Sequence, residues 1–150
     1  MKILFCTSNK IGARGIRLVT WSDWSHVAII DGDEGIEAVW PMVKITSLAE
    51  VLASHTDYCV VDIPCQNEEA ALAWARSQVG KPYDLLGMLG LGFHRDWQND
   101  SDWWCSELVT RAAMNGGNKL FRDGLLHRIT PQHLWMLNYP VVVWPMHRIG

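Results

Sequence analysis

The chain has little of several things. Charged residues make up 19% of its 150 positions, below the ~25% of ordinary soluble domains, and the formal net charge is only −3. Without an excess of positive charge there is no field for a phosphate backbone, so nucleic acid is set aside as a partner. The chain lacks a C-x-x-C pair, and none of its four cysteines stands at zinc-ligand spacing from a histidine, so neither a metal nor any other cofactor is expected. It has no G-x-S-x-G elbow for a serine hydrolase and no G-x-x-x-x-G-K-[ST] loop for a nucleotide. The longest apolar stretch, Leu85 to Leu91, is broken by glycines, and the start MKILFCTSN has one Lys and too brief an apolar run for a secretory signal. The expectation is a protein with no transmembrane segment and reduced thiols, cytoplasmic or phage-associated.

What the chain does have is apolar and aromatic material: 49% hydrophobic residues and nine Trp. That suffices for one core, and with no repeat or Ser/Gly/Pro-rich linker, residues 1–150 read as a single domain. Lys2 to Cys6 reads as a strand. Ser25 to Ile30 and Ile36 to Trp40 are β-branched runs flanking Asp31-Gly32-Asp33-Glu34-Gly35, which predicts a hairpin. Ser47-Leu48-Ala49-Glu50 matches the S-x-x-E cap of a short helix ending near Ser54, and Tyr58 to Ile63 reads as the next strand. Ala71, Leu72, Ala75 and Val79 recur at helical spacing between Asn67 and a terminating Gly80. Lys81-Pro82-Tyr83 breaks the chain, Asp84 caps a glycine-rich segment, and Asp102 caps a helix from Trp103 to Met114 that Asn115-Gly116-Gly117 ends. Thr130-Pro131 starts a helix through Leu137, and Val141 to Trp144 is a closing strand. Strand-rich and helix-rich stretches separate rather than alternate, which predicts an α+β fold with a mainly antiparallel sheet packed against helices.

Three residues stand out chemically. Behind an Asp102 cap, Cys105 falls in the first helical turn, where unpaired amides and the helix dipole favour a thiolate; inert packing among tryptophans is the alternative. A nucleophilic cysteine needs a base, and His26 opens an otherwise apolar strand where a core would prefer Val or Ile. Of the other histidines, His55, His127 and His147 sit in polar or terminal contexts and read as solvated, while His94 and His133 are weaker competitors. Glu37 lies inside Ile36-Glu37-Ala38-Val39-Trp40, where a carboxylate is unfavourable unless partnered. With a four-residue loop from Asp31 to Glu34, Ala28 faces Glu37, and His26 becomes its diagonal neighbour on one face; a shift of one residue would separate them.

The order Ser25-His26-Val27-Ala28-Ile29, Ile36-Glu37-Ala38, Gly80-Lys81-Pro82-Tyr83-Asp84, Trp104-Cys105-Ser106-Glu107-Leu108-Val109 and Thr130-Pro131-Gln132 resembles the circularly permuted NlpC-type papain-like hydrolases. Ordinary papain-like enzymes run Cys before His; here the histidine hairpin comes first, and the resemblance extends from about Ile16 to Leu134. It implies a thiol hydrolase in which Cys105 attacks a carbonyl, His26 shuttles the proton and Glu37 orients His26. The amide of Cys105 would hold the oxyanion, with Tyr83 as a second donor. Trp24 and Trp104, with Trp21, Trp40, Trp97 and Trp103, would flank a cleft for a peptide, cell-wall or acyl substrate, although core packing suits most of them. The polar stretch Phe93 to Asp102 would border that cleft. Three functions remain open: an amidase or peptidase on bacterial cell-wall peptides, a lipid acyltransferase or thioesterase using the same pair, and a binding module that kept the fold. Glu37 counts slightly against the second, whose members usually place a second His there.

Overall fold

β-Branched and aromatic runs separated by turn formers assemble into a six-stranded sheet in the computed structural model, which describes residues 1–8, 13–14, 17–18, 21–83 and 104–143. The strands are β1 (Lys2–Thr7), β2 (His26–Asp31), β3 (Glu34–Val39), β4 (Met42–Ser47), β5 (Asp57–Asp62) and β6 (Val141–Val143), in the order β4-β3-β2-β1-β5-β6. Every pairing is antiparallel, as the sequence predicts.

The hairpin between β2 and β3 is tighter than expected. Asp31 pairs with Glu34, so the loop is Gly32-Asp33 rather than Asp31 to Glu34, and Gly32 takes a φ of 60° that suits a residue without Cβ. The ladder simply runs one pair further, and its register is unchanged: Ile30 faces Gly35 and Ile29 faces Ile36, which sets Ala28 opposite Glu37. β4 was not anticipated. It is an edge strand of which Val43 alone is fully buried, so its sequence carries little hydrophobic alternation, yet it pairs with β3 from Glu34↔Ser47 to Val39↔Met42.

The two faces of the sheet have different covers. Ile3, Phe5, Val27, Ile29, Ile36, Ala38 and Val43 form the main core with α2 (Glu68–Ser77) and α3 (Cys105–Asn115), while Leu4, Cys6, Ala28 and Val60 pack on Val51 of α1 (Leu48–Ala53). Ser47 caps α1 by accepting from the Glu50 amide at 3.3 Å, as S-x-x-E predicts. Asn67 caps α2, its Oδ1 accepting from the Ala70 amide at 2.9 Å; the helix ends at Ser77, short of the predicted Val79. Where α2 meets α3, an added Cβ on Gly116 would lie 2.9 Å from the Ala71 Cβ, so glycine permits the close approach.

α3 starts at Cys105, two residues later than predicted, with Trp104 at the N-cap making no side-chain cap bond. An indole has no oxygen to offer the first amides. Its start is tied down by Ser106, whose Oγ donates to the Ile129 carbonyl at 2.6 Å. A 3-10 turn (Asp123–Arg128) leads to α4 (Pro131–Trp135), capped by Thr130 and ending before the predicted Leu137. The expected Asp84 and Asp102 caps, the segment after Asp84, the stretch Phe93 to Asp102, and Trp144 lie outside the described residues.

Candidate active site

His26 opens β2 opposite Cys6 of β1, and pleating puts its side chain on the same face as Glu37 of β3. The two meet: His26 Nε2 lies 2.9 Å from Glu37 Oε2, with the residues only 8% and 4% exposed. Nε2 therefore donates to the carboxylate, which leaves Nδ1 as the nitrogen available to a second partner. The other carboxylate oxygen, Oε1, accepts from Thr46 Oγ1 at 2.7 Å and lies 3.7 Å from Lys44 Nζ. Thr46 and Lys44 both come from β4, so these supporting residues escaped the sequence reading along with their strand.

The electrostatics follow from this enclosure. Burial opposes a charged His26, but hydrogen bonds to Cys105 and Glu37 and their negative charge outweigh it and raise its pKa from 6.5 to about 9. Burial likewise opposes a charged Glu37, and the hydrogen bond and charge of His26, the Thr46 hydroxyl and Lys44 together hold the carboxyl below its ordinary value. Each partner thus keeps the other ionised.

Cys105 is the first residue of α3, largely buried and hydrogen-bonded to His26. At that position the first-turn amides lack intrahelical acceptors and Trp104 supplies none, so donor dipoles converge on the sulfur's surroundings. All four thiols are free. Cys6 and Cys59 are fully buried; burial pushes the Cys6 thiol up, and the nearby charges of Glu37, Asp57 and Cys105 push the same way. Burial also raises Cys65.

Cys105, His26 and Glu37 open onto a cleft of about 420 Å³ walled by Ala38, Val39, Trp40, Tyr83, Trp104 and Pro131. Tyr83 is set beside it because its amide donates to the Pro41 carbonyl at 3.0 Å and Pro82 bridges to Met42 at the β4 edge. Trp40 stands 72% exposed at the mouth. Trp24 is elsewhere. It is 1% exposed, with its ring 5.7 Å from Phe5 and 5.3 Å from Trp135, so it belongs to the core and does not line the cleft. Three large rings bury more apolar surface against one another than any of them would at the rim. Trp21 is exposed, and Trp97 and Trp103 lie outside the described residues.

His55 departs from the sequence reading as well. It is half-buried rather than solvated, lines the cleft, and stacks on His26 with ring centroids 5.8 Å apart and planes 6° from parallel. Its polar neighbours in sequence hid this; the one usable signal was its position just past a helix end. His133 is occupied at the start of α4, where its Nδ1 accepts from the Thr130 amide at 3.0 Å.

In the described residues a histidine strand, a glutamate strand and then a cysteine helix follow one another along the chain. The model of the permuted papain-like amidase enzymes, the YaeF/YiiX or C92 family, matches residues 2–139. The chain belongs to this family. It is accordingly a papain-like hydrolase of the cysteine type, with the circularly permuted α+β fold that the resemblance implied. Among solved structures it is similar to metalloprotein YiiX from Escherichia coli O157:H7, with a TM-score of 0.69 and 22% identity over 95% of each chain, a likeness of fold. A comparison with curated proteins finds no match. YiiX is described as a metalloprotein; here, among the described residues, no group of three or more His, Cys, Asp or Glu is placed to hold a metal ion. No described helix is long and apolar enough to cross a membrane.

Proposed function

We propose that this member of the family is a cysteine-dependent amidase or peptidase, one catalytic domain over residues 1–150, acting on bacterial cell-wall peptides. The observation that carries the chemistry is the buried His26–Glu37 pair at 2.9 Å, with His26 hydrogen-bonded to Cys105 at a helix start. His26 takes the thiol proton and holds it as the imidazolium that Glu37 stabilises. The sulfur attacks the amide carbonyl, and the oxyanion that forms is met by the Cys105 amide, with Tyr83 across the cleft as second donor. Collapse breaks the C–N bond as His26 protonates the leaving amine, leaving a thioester on Cys105. Water, deprotonated by His26, then attacks the thioester and releases the acid and the thiol. Glu37 holds the Nε2–H throughout, so Nδ1 faces the sulfur in every step.

Purified muropeptides should be cleaved by the wild-type protein and spared by Cys105→Ala. Equal cleavage by both proteins would remove the cysteine mechanism; intact muropeptides beside a Cys105 that reacts rapidly with iodoacetamide would remove only the wall substrate. The apolar walls of the cleft favour one second reading, an acyl group as substrate. In that case a fatty-acyl thioester should leave an acyl adduct on Cys105, visible by mass spectrometry.

A further inference from the structure

His55 has no place in the mechanism above, yet the fold delivers it to the face of the proposed base. α1 covers the sheet face that carries His26 and Glu37, and Ser54 at its C-cap hands the chain to His55 above the imidazole. The ring is held from its far side. His55 Nδ1 lies 2.7 Å from the Val51 carbonyl, which can only accept, so Nδ1 carries the hydrogen; the Ser54 hydroxyl, 2.9 Å away, braces the same nitrogen and itself donates to Val51 O at 2.9 Å. The Val51 carbonyl and the Ser54 hydroxyl both engage Nδ1, and the ring plane is parallel to His26 within 6°.

A flat stack has a charge requirement. Two imidazolium rings 5.8 Å apart would repel, whereas the face of a neutral ring attracts a cation. His26 is the member with anionic partners, Glu37 at 2.9 Å from its Nε2 and Cys105 beside it, so the cation belongs there. Edge contacts alone leave a ring free to tilt about the line joining them; a parallel face removes that freedom.

We propose that His55 is a positioning residue: as a neutral imidazole clamped by the Val51 carbonyl, it holds the His26 ring in the plane shared by Glu37 and Cys105. This rests on the thiol chemistry proposed above, and it predicts that the flat face set against His26 carries the effect, the Nδ1 anchor serving to orient that face.

The test uses peptide-resolved labelling of Cys105 by iodoacetamide at pH 7 in the full chain, with thermal unfolding recorded for each variant. His55→Ala should label roughly five- to thirtyfold more slowly than wild type, the range that loss of a cation–π contact implies. His55→Phe, which keeps a flat face and has no nitrogen, should recover most of that rate. An alanine variant as fast as wild type would overturn the inference. So would a phenylalanine variant that is folded yet as slow as alanine, because the nitrogens would then be what matters. If the alanine variant does not fold, the phenylalanine rate decides alone. A wild-type Cys105 that labels no faster than Cys65 would instead overturn the thiol chemistry, and this inference with it.

Discussion

Two buried thiols flank the same histidine and differ in almost everything that makes a nucleophile. Cys6 is the cross-strand partner of His26, at the end of β1, and is fully buried. β1 is paired on both sides, by β2 and by β5, so its amides are spent on the ladder and no donor dipoles gather at the sulfur. Burial and neighbouring negative charge therefore keep Cys6 protonated. Cys105 reaches His26 from the tip of α3, where the backbone offers unsatisfied amides and the imidazole a hydrogen bond. Nearness to a histidine does not distinguish them. The backbone that presents each sulfur does.

Removing Cys105 itself is the severest test of that contrast, and the next is Glu37→Gln. The amide keeps the carboxylate's shape without its charge, so His26 loses its anion while Cys6 and Cys105 stay in place. Turnover should fall by up to roughly 10⁴-fold, the scale seen when the orienting acid of a triad is made neutral. By NMR, the titration of His26 should move down from about 9. Wild-type turnover in this variant would detach Glu37 from the chemistry.

A smaller effect is expected in stability against pH. The pKa of His26 is raised from 6.5 to about 9, so its contribution is complete below 6.5 and is lost as pH climbs through about 9. Glu37 is lowered from 4.5, so its contribution is present above 4.5 and is lost as pH falls through the lowered value. Urea unfolding at stepped pH should show the pair's full contribution between 4.5 and 6.5 and a decline on either side. His26→Gln should flatten the alkaline decline. An unchanged alkaline slope would mean that the pair is not what titrates.

The smallest effect belongs to Cys6→Ala. Losing a buried sulfur should lower stability by about 1 kcal/mol, while Cys105 labels within about twofold of wild type. A large drop in labelling would show that the strand thiol also tunes the site, and the contrast drawn here would narrow.

The residues of the site were legible unevenly, for reasons of range. His26 and Glu37 could be paired in advance because two strands joined by a tight turn have their register set by local sequence, and even a misjudged loop left Ile30 opposite Gly35. Cys105 could be placed in a first helical turn from local sequence, with Asp102 read as the cap, although the cap is Trp104 and Asp102 lies outside the described residues. Thr46 and Lys44 were invisible because an edge strand with one fully buried residue carries no strong period. His55 and Trp24 are both more buried than their sequence contexts suggest, since exposure depends on what lies across the fold, not on the neighbours in sequence.

By itself the amino-acid order determined the elements other than β4, the antiparallel hairpin and the succession of histidine, glutamate and cysteine, because these rest on periodicity, turn chemistry and contacts a few residues long. Only the tertiary structure decided that α3 begins beside β2, that β4 supports the carboxylate and that α1 lays one imidazole on another. Those are meetings between segments far apart in the chain, chosen by which buried surfaces fit together, and no local pattern records that choice.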